Sequence, residues 1–161
     1  MSKTVKRAAL VLGLALVGAQ AIRVDRTNPP VETEIAAPPA AQAVLERSCY
    51  DCHSNKTVWP WYSHVAPASW LVARDVRQGR HHLNFTTWNR LSPEKQQKAI
   101  RAIWKQVAEG EMPMSIYLPL HPRARLSEAD KAALKAWADT MPPAPPGSSD
   151  DLHDHDDHDD K

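Results

Sequence analysis

The residues Cys49-Tyr50-Asp51-Cys52-His53 carry the clearest chemistry in the chain. They read C-x-x-C-H, the pattern for covalent attachment of c-type haem. Thiols three positions apart on one helical turn can each bond a vinyl group of the same porphyrin. The His next to them then turns its imidazole to the iron from the proximal side. These are the only two cysteines of the chain. A thioredoxin-like dithiol shares the Cys-x-x-Cys spacing but has no need of the His. A zinc site would require two histidines from elsewhere, because there is no second Cys pair. A disulfide between the two would close a tiny loop and constrain the unfolded chain little. One covalent haem c, with its iron, is the cofactor this pattern implies, held through Cys49 and Cys52 and ligated by His53.

His53 leaves one axial position of the iron to fill. Met or His usually fills it, and a Met/His pair raises the reduction potential. Met112, in Gly110-Glu111-Met112-Pro113, is the first candidate. It follows a helix end, in a loop free to lay a thioether across the far haem face. Met114 is the second choice, since side chains two apart in an extended segment point the same way. The competing reading for either is ordinary core filling. His64, His81, His82 and His121 are the alternative ligands, and any of them would give a bis-imidazole site of lower potential. Trp59, Trp61 and Trp70, with Tyr62, could wall a haem pocket and exclude water, or could be plain core. Arg74, Arg77 and Arg80 recur three apart, as partners for haem propionates or as a solvated stripe.

At 161 residues the chain suits one domain, and its two ends differ in composition from the body. Lys3, Lys6 and Arg7 precede an apolar run from Ala8 to Ile22, broken only by Gln20 in the small-residue site Ala19-Gln20-Ala21. Residues 1–22 therefore read as an export signal or an N-terminal anchor, short for a span of about 20 residues. Residues 23–38, with Asn28-Pro29-Pro30, read as an extended Pro-rich tether. The domain is expected over 39–141. Residues 142–161, Pro-rich and then His/Asp-rich, cannot build a core and read as a disordered tail. His153, His155 and His158 stand there among seven aspartates, as a solvated acidic segment or a loose metal site. Residues 23–149 hold sixteen Lys/Arg against twelve Asp/Glu. That small surplus suits steering toward an acidic redox partner. No motif supports nucleic-acid binding.

Four helices are expected in the domain. One starts near Pro39 and runs into the haem motif. A second opens at Ala66-Pro67 and closes at Gly79. A third has Ser92 as N-cap, Pro93 at its first position and Gly110 just past its end. The last begins at Ser127, with Asp130 in capping-box position. No segment alternates as a strand would. The predicted fold is all-α, a cytochrome c-like bundle around one covalently attached haem, whose apolar volume would enlarge a small core.

The motif is followed by Ser54-Asn55-Lys56-Thr57-Val58-Trp59-Pro60-Trp61-Tyr62-Ser63 and then Val65-Ala66-Pro67-Ala68-Ser69-Trp70-Leu71. Asp75-Val76, Gly79-Arg80, Leu83-Asn84-Phe85, Trp88, the Met-Pro segment, Tyr117 and His121-Pro122 come after it. Over residues 45–140 this resembles the bacterial haem-binding domain family of small exported c-type cytochromes. Met114-Ser115 departs from the bulkier or proline-containing residues usual there. The resemblance implies a monohaem c-type cytochrome with His53 proximal and Met112 distal. Such a protein passes electrons between redox partner proteins and catalyses nothing by itself. It would be periplasmic, soluble or anchored to the inner membrane through residues 8–22. Two other readings stay open: a haem sensor or peroxidase-like enzyme with an open distal site, and a fixed cytochrome subunit of a membrane oxidoreductase.

Overall fold

A computed structural model describes residues 2–144. Six α-helices carry the fold: α1 (Lys3–Ala19), α2 (Pro39–Ser48), α3 (Tyr50–His53), α4 (Ala68–His82), α5 (Pro93–Ala108) and α6 (Glu128–Ala138). Short 3-10 turns lie at Trp61–His64, Trp88–Arg90 and Pro122–Ala124. Among the described residues the only β pairing is an isolated parallel bridge between Thr33 and Thr87. The fold is all-α, as predicted. The expected tail lies, from residue 145 onward, outside the described residues.

The helices with strong local signals start and stop where those signals stand. Ser92 caps α5 by accepting the Lys95 N–H, and Gly110 beyond its end takes φ +77°, a conformation that costs glycine little. Ser127 and Asp130 form the reciprocal capping box of α6. Elsewhere the sequence misleads. The first expected helix is two, because the backbone breaks at Cys49 with φ −128° and ψ −30°. The break turns Tyr50 into the core, edge-on to Phe85 with ring centroids 5.5 Å apart. The second expected helix does not close at Gly79 but continues to His82, with Gly79 buried inside it.

The core forms where α6 packs on both α2 and α5. Val44 and Leu45 of α2, Ile100, Ile103 and Val107 of α5, and Leu134 and Trp137 of α6 fill it. Leu45 and Leu134 are almost fully buried, and each contributes about 2 kcal/mol of transfer free energy. α3 packs across α4, which buries the small residues Ser69, Ala73 and Gly79 together with Val76.

Residues 23–38, expected as a tether, are extended but lie along the domain as a strap. Ile35 is buried in the core and donates its N–H to the Phe85 carbonyl at 2.7 Å. The Glu32 N–H donates to Thr86, and the Thr33 carbonyl accepts from Trp88. Asn55 reaches the Pro30 carbonyl, and ion pairs join Glu32 to Arg90 and Glu34 to Lys56. An extended chain whose backbone finds partners in 85–88 gains more than a solvated spacer would, so the packed unit begins before residue 39. α1 buries no side chain. Among the described residues no helix is long and apolar enough to cross a membrane.

Candidate haem site

One turn of helix presents the motif. The Cys52 and His53 N–H groups both donate to the Cys49 carbonyl, at 3.2 and 3.0 Å, which brings the two thiols to one side. His53 Nδ1 lies 3.0 Å from the Leu83 carbonyl. A carbonyl can only accept, so Nδ1 carries the proton and Nε2 keeps its lone pair, the tautomer a metal needs. The Phe85 N–H donates to the His53 carbonyl at 2.8 Å, and the two rings stand 5.7 Å apart. Burial holds His53 below its ordinary pKa, against the raising effect of the Leu83 bond, so the imidazole is neutral at neutral pH.

Gly79 explains how α3 can lie so close to α4. A Cβ at this position would stand 2.6 Å from the Cys52 carbonyl oxygen and 3.0 Å from its carbon. Sequence reasoning took this glycine for a helix stop, whereas it is a place where two backbones touch. Arg80, one residue on, ties the turn down. Its guanidinium donates to the Ser54 carbonyl, the Thr27 carbonyl, Asn28 Oδ1 and Thr57 Oγ1, all at 2.7–2.8 Å. Of the Arg74, Arg77 and Arg80 series, the third is a structural clamp joining strap, motif and α4.

Above this turn opens a cavity of about 310 Å³. Cys49, Cys52 and His53 line one wall, with Gly79, Leu83 and Phe85 beside them. Ala102, Ile103, Gln106 and Val107 of α5 line another, and Met112, Pro113, Met114 and Tyr117 complete it. Both candidate methionines therefore line the same cavity as the motif. The loop that carries them is attached at two places. At its start the Glu111 and Met112 N–H groups donate to the Gln106 carbonyl at 3.0 and 3.2 Å. At Tyr117 the phenol donates to Asp51 Oδ2, inside the haem motif, at 2.7 Å. Burial and that carboxylate hold the Tyr117 phenol protonated, above its ordinary range. The Tyr117 ring stacks on His121 at 3.8 Å, and the Tyr62 hydroxyl lies 3.3 Å from His121 Nε2. The Asp51–Tyr117 bond was missed at the level of sequence, although both residues stand in segments singled out there.

The tryptophans are a correction. Trp59, Trp61 and Trp70 do not line the cavity. Trp61 stands on a 3-10 turn that points it into solvent, 77 % exposed, and Trp70 lies on the outer side of the α4 start. Trp59 donates to Asn28 Oδ1 at 3.3 Å and lies under the Arg80 guanidinium at 6.0 Å. Among the alternative histidines only His82 lines the cavity. His64 and His81 are exposed, and His121 is engaged with Tyr62 and Tyr117.

The residues fit a haem better than the rival groups. Burial pushes both thiols up to about 12, aided at Cys52 by Asp51 and Asp75. Dithiol oxidoreductases need the opposite shift. Zinc would need further donors beside the thiols, and among the described residues no cluster of three or more Cys, His, Asp or Glu could hold an ion. The donor set gathers thiols, an imidazole and thioethers around one cavity. No curated protein and no solved structure matches the chain. The model of one family, the haem-binding domain, matches residues 14–140, a stretch that takes in every residue of the cavity, and the chain belongs to that family and binds haem.

Proposed function

We propose that this protein is a monohaem c-type cytochrome that carries single electrons between redox partner proteins, with His53 and Met112 as axial ligands. The observation that carries the reading is one cavity lined both by Cys49, Cys52 and His53 and by Met112 and Met114 of the methionine loop. Bound haem supplies a one-electron ferrous–ferric couple. The chain's own residues do the rest. Cys49 and Cys52 fix the cofactor covalently, so it is not lost between encounters. The Leu83 carbonyl orients His53 and makes its free nitrogen a better donor. Apolar side chains of α5 keep water away, and the methionine thioether favours the ferrous state. Tyr117, at the cavity wall, is hydrogen-bonded to Asp51 rather than left free to act on a bound ligand. The protein works in the periplasm, with residues 1–22 as its export segment.

The experiment is the optical spectrum of protein matured with the c-type haem machinery, for wild type and for Met112→Ala and Met114→Ala. The expected result is haem that survives acid–acetone extraction, low-spin in wild type and in Met114→Ala, high-spin in Met112→Ala. Reversed behaviour of the two variants would move the ligand to Met114. A high-spin wild type would overturn methionine ligation and favour the sensor or enzyme reading. Extractable haem would overturn covalent attachment.

A further inference from the structure

α1 ends where a group of exposed apolar side chains begins. The Gln20 side chain grips the Ala66 backbone from both sides: its amide donates to the Ala66 carbonyl at 3.2 Å and its oxygen accepts the Ala66 N–H at 3.0 Å. Arg26 adds a bond to the Ser63 carbonyl at 3.1 Å. The foot of α1 is thereby pinned to the 3-10 turn 61–64 and to the start of α4, which pack on each other. That corner presents Trp61, Val65, Trp70 and Leu71, with exposures of 77, 47, 36 and 42 %. Exposed large apolar groups gathered at one place mark an interaction surface.

The neighbouring helix says what covers it. α1 is apolar from Ala8 to Ala19, carries Lys3, Lys6 and Arg7 at its far end and buries nothing against the domain. Its rise is about 25 Å at 1.5 Å per residue. That is less than the ~30 Å of a bilayer's hydrocarbon core. A short helix held in lipid thins the bilayer locally and draws whatever is fixed to its end toward the surface. Tryptophan is the residue that settles at that depth, with its ring among the acyl chains and its N–H among the headgroups. Arg74 and Arg77 follow on α4 at helical spacing from Trp70 and Leu71 and are exposed, placed to meet anionic lipid. Loss of residues 1–21 would remove Gln20 and its grip on Ala66. The family match, beginning at residue 14, takes in the last third of α1.

We infer that α1 is kept rather than removed, and that Trp61, Val65, Trp70 and Leu71 rest in the headgroup layer of an anionic bilayer, holding the haem domain on the membrane in one orientation. This rests on the export reading of residues 1–22 and not on the redox reading. The test uses the full matured protein in liposomes of phosphatidylethanolamine and phosphatidylglycerol. Its intact mass is measured first. A benzophenone photo-crosslinking amino acid then replaces Trp61, Trp70 or, as a control on α6, Glu128. The expected result is a mass that includes residues 3–22, and lipid adducts at 61 and 70 at least tenfold above those at 128. A mass lacking α1, equal adducts at all three positions, or no lipid adduct at 61 and 70 would overturn the inference. The haem spectrum of the same samples reports on the redox reading separately.

Discussion

The two walls of the cavity are built differently. The motif wall is fixed from every side. Gly79 lets its backbone touch α4, Leu83 holds the imidazole, Phe85 stands behind it, and Arg80 binds the turn to the strap at several points. The methionine wall is a loop held by two backbone bonds to Gln106 and one side-chain bond from Tyr117 to Asp51. Ile116 and Leu120 on that loop are mostly exposed. A ligand on the first wall has one position. A ligand on the second depends on a few bonds, each contributing about 1 kcal/mol. The axial pair proposed above thus has one partner on a fixed turn and the other on a loop that few bonds hold.

That contrast can be broken most severely at Gly79. Gly79→Ala places a methyl group against the Cys52 backbone, and neither side has a flexible end that could yield. It should destabilise by about 3 kcal/mol or more, read as a large fall in the melting temperature together with a low yield of haem-loaded protein. A near-normal yield would mean that the motif wall gives way more easily than its packing implies. Arg80→Met comes next. It leaves the Ser54 carbonyl and Thr57 hydroxyl without their donor, at a cost of about 2 kcal/mol in denaturant unfolding.

Tyr117→Phe addresses the other wall and should cost only about 1 kcal/mol. Its signature is spectroscopic: haem stays covalently attached while carbon monoxide binds the ferrous form faster than in wild type. An unchanged binding rate would show that the loop holds without this bond. Asp130→Asn serves as a scaffold control with the smallest effect. The Ser127 backbone N–H, and secondarily Arg47, hold the Asp130 carboxyl below its ordinary value of 3.8. Its stabilisation is therefore present above that value and lost as pH falls through the lower folded pKa. The variant should lose up to about 1 kcal/mol at pH 7. It should converge with wild type in acid denaturation below pH 3.8, with the haem spectrum unaltered throughout.

What could be read from the sequence was local. The caps of α5 and α6 involve residues three apart, and the haem motif lies on a single turn, so spacing revealed them. Met112 and Met114 were legible as a loop after a glycine-closed helix, and both line the cavity. What could not be read depends on contacts between distant segments. Glycine ends helices and also lets backbones meet, and only the packing of α3 on α4 shows that Gly79 does the second. The strap looked like a spacer because its partners at 85–88 carry no strand pattern. The tryptophans suggested a pocket because ring size argues for burial, yet Trp88 and Trp137 are the buried ones, while Trp61 and Trp70 face outward.

The strap also imposes an order in time. A chain is made from its N-terminus, so Pro30 and Glu32 leave the ribosome before Asn55 and Arg90, which lie 25 and 58 residues downstream. Until Arg90 has emerged, the early segment has nothing complete to fasten onto. Cys49 and Cys52 likewise precede Gly79 and the helix that covers them. The growing chain thus passes through an interval in which both sulfurs have emerged and the closing belt is still loose. Contacts over such long separations form slowly, so the architecture lengthens the period during which the cysteine turn stays uncovered before final closure.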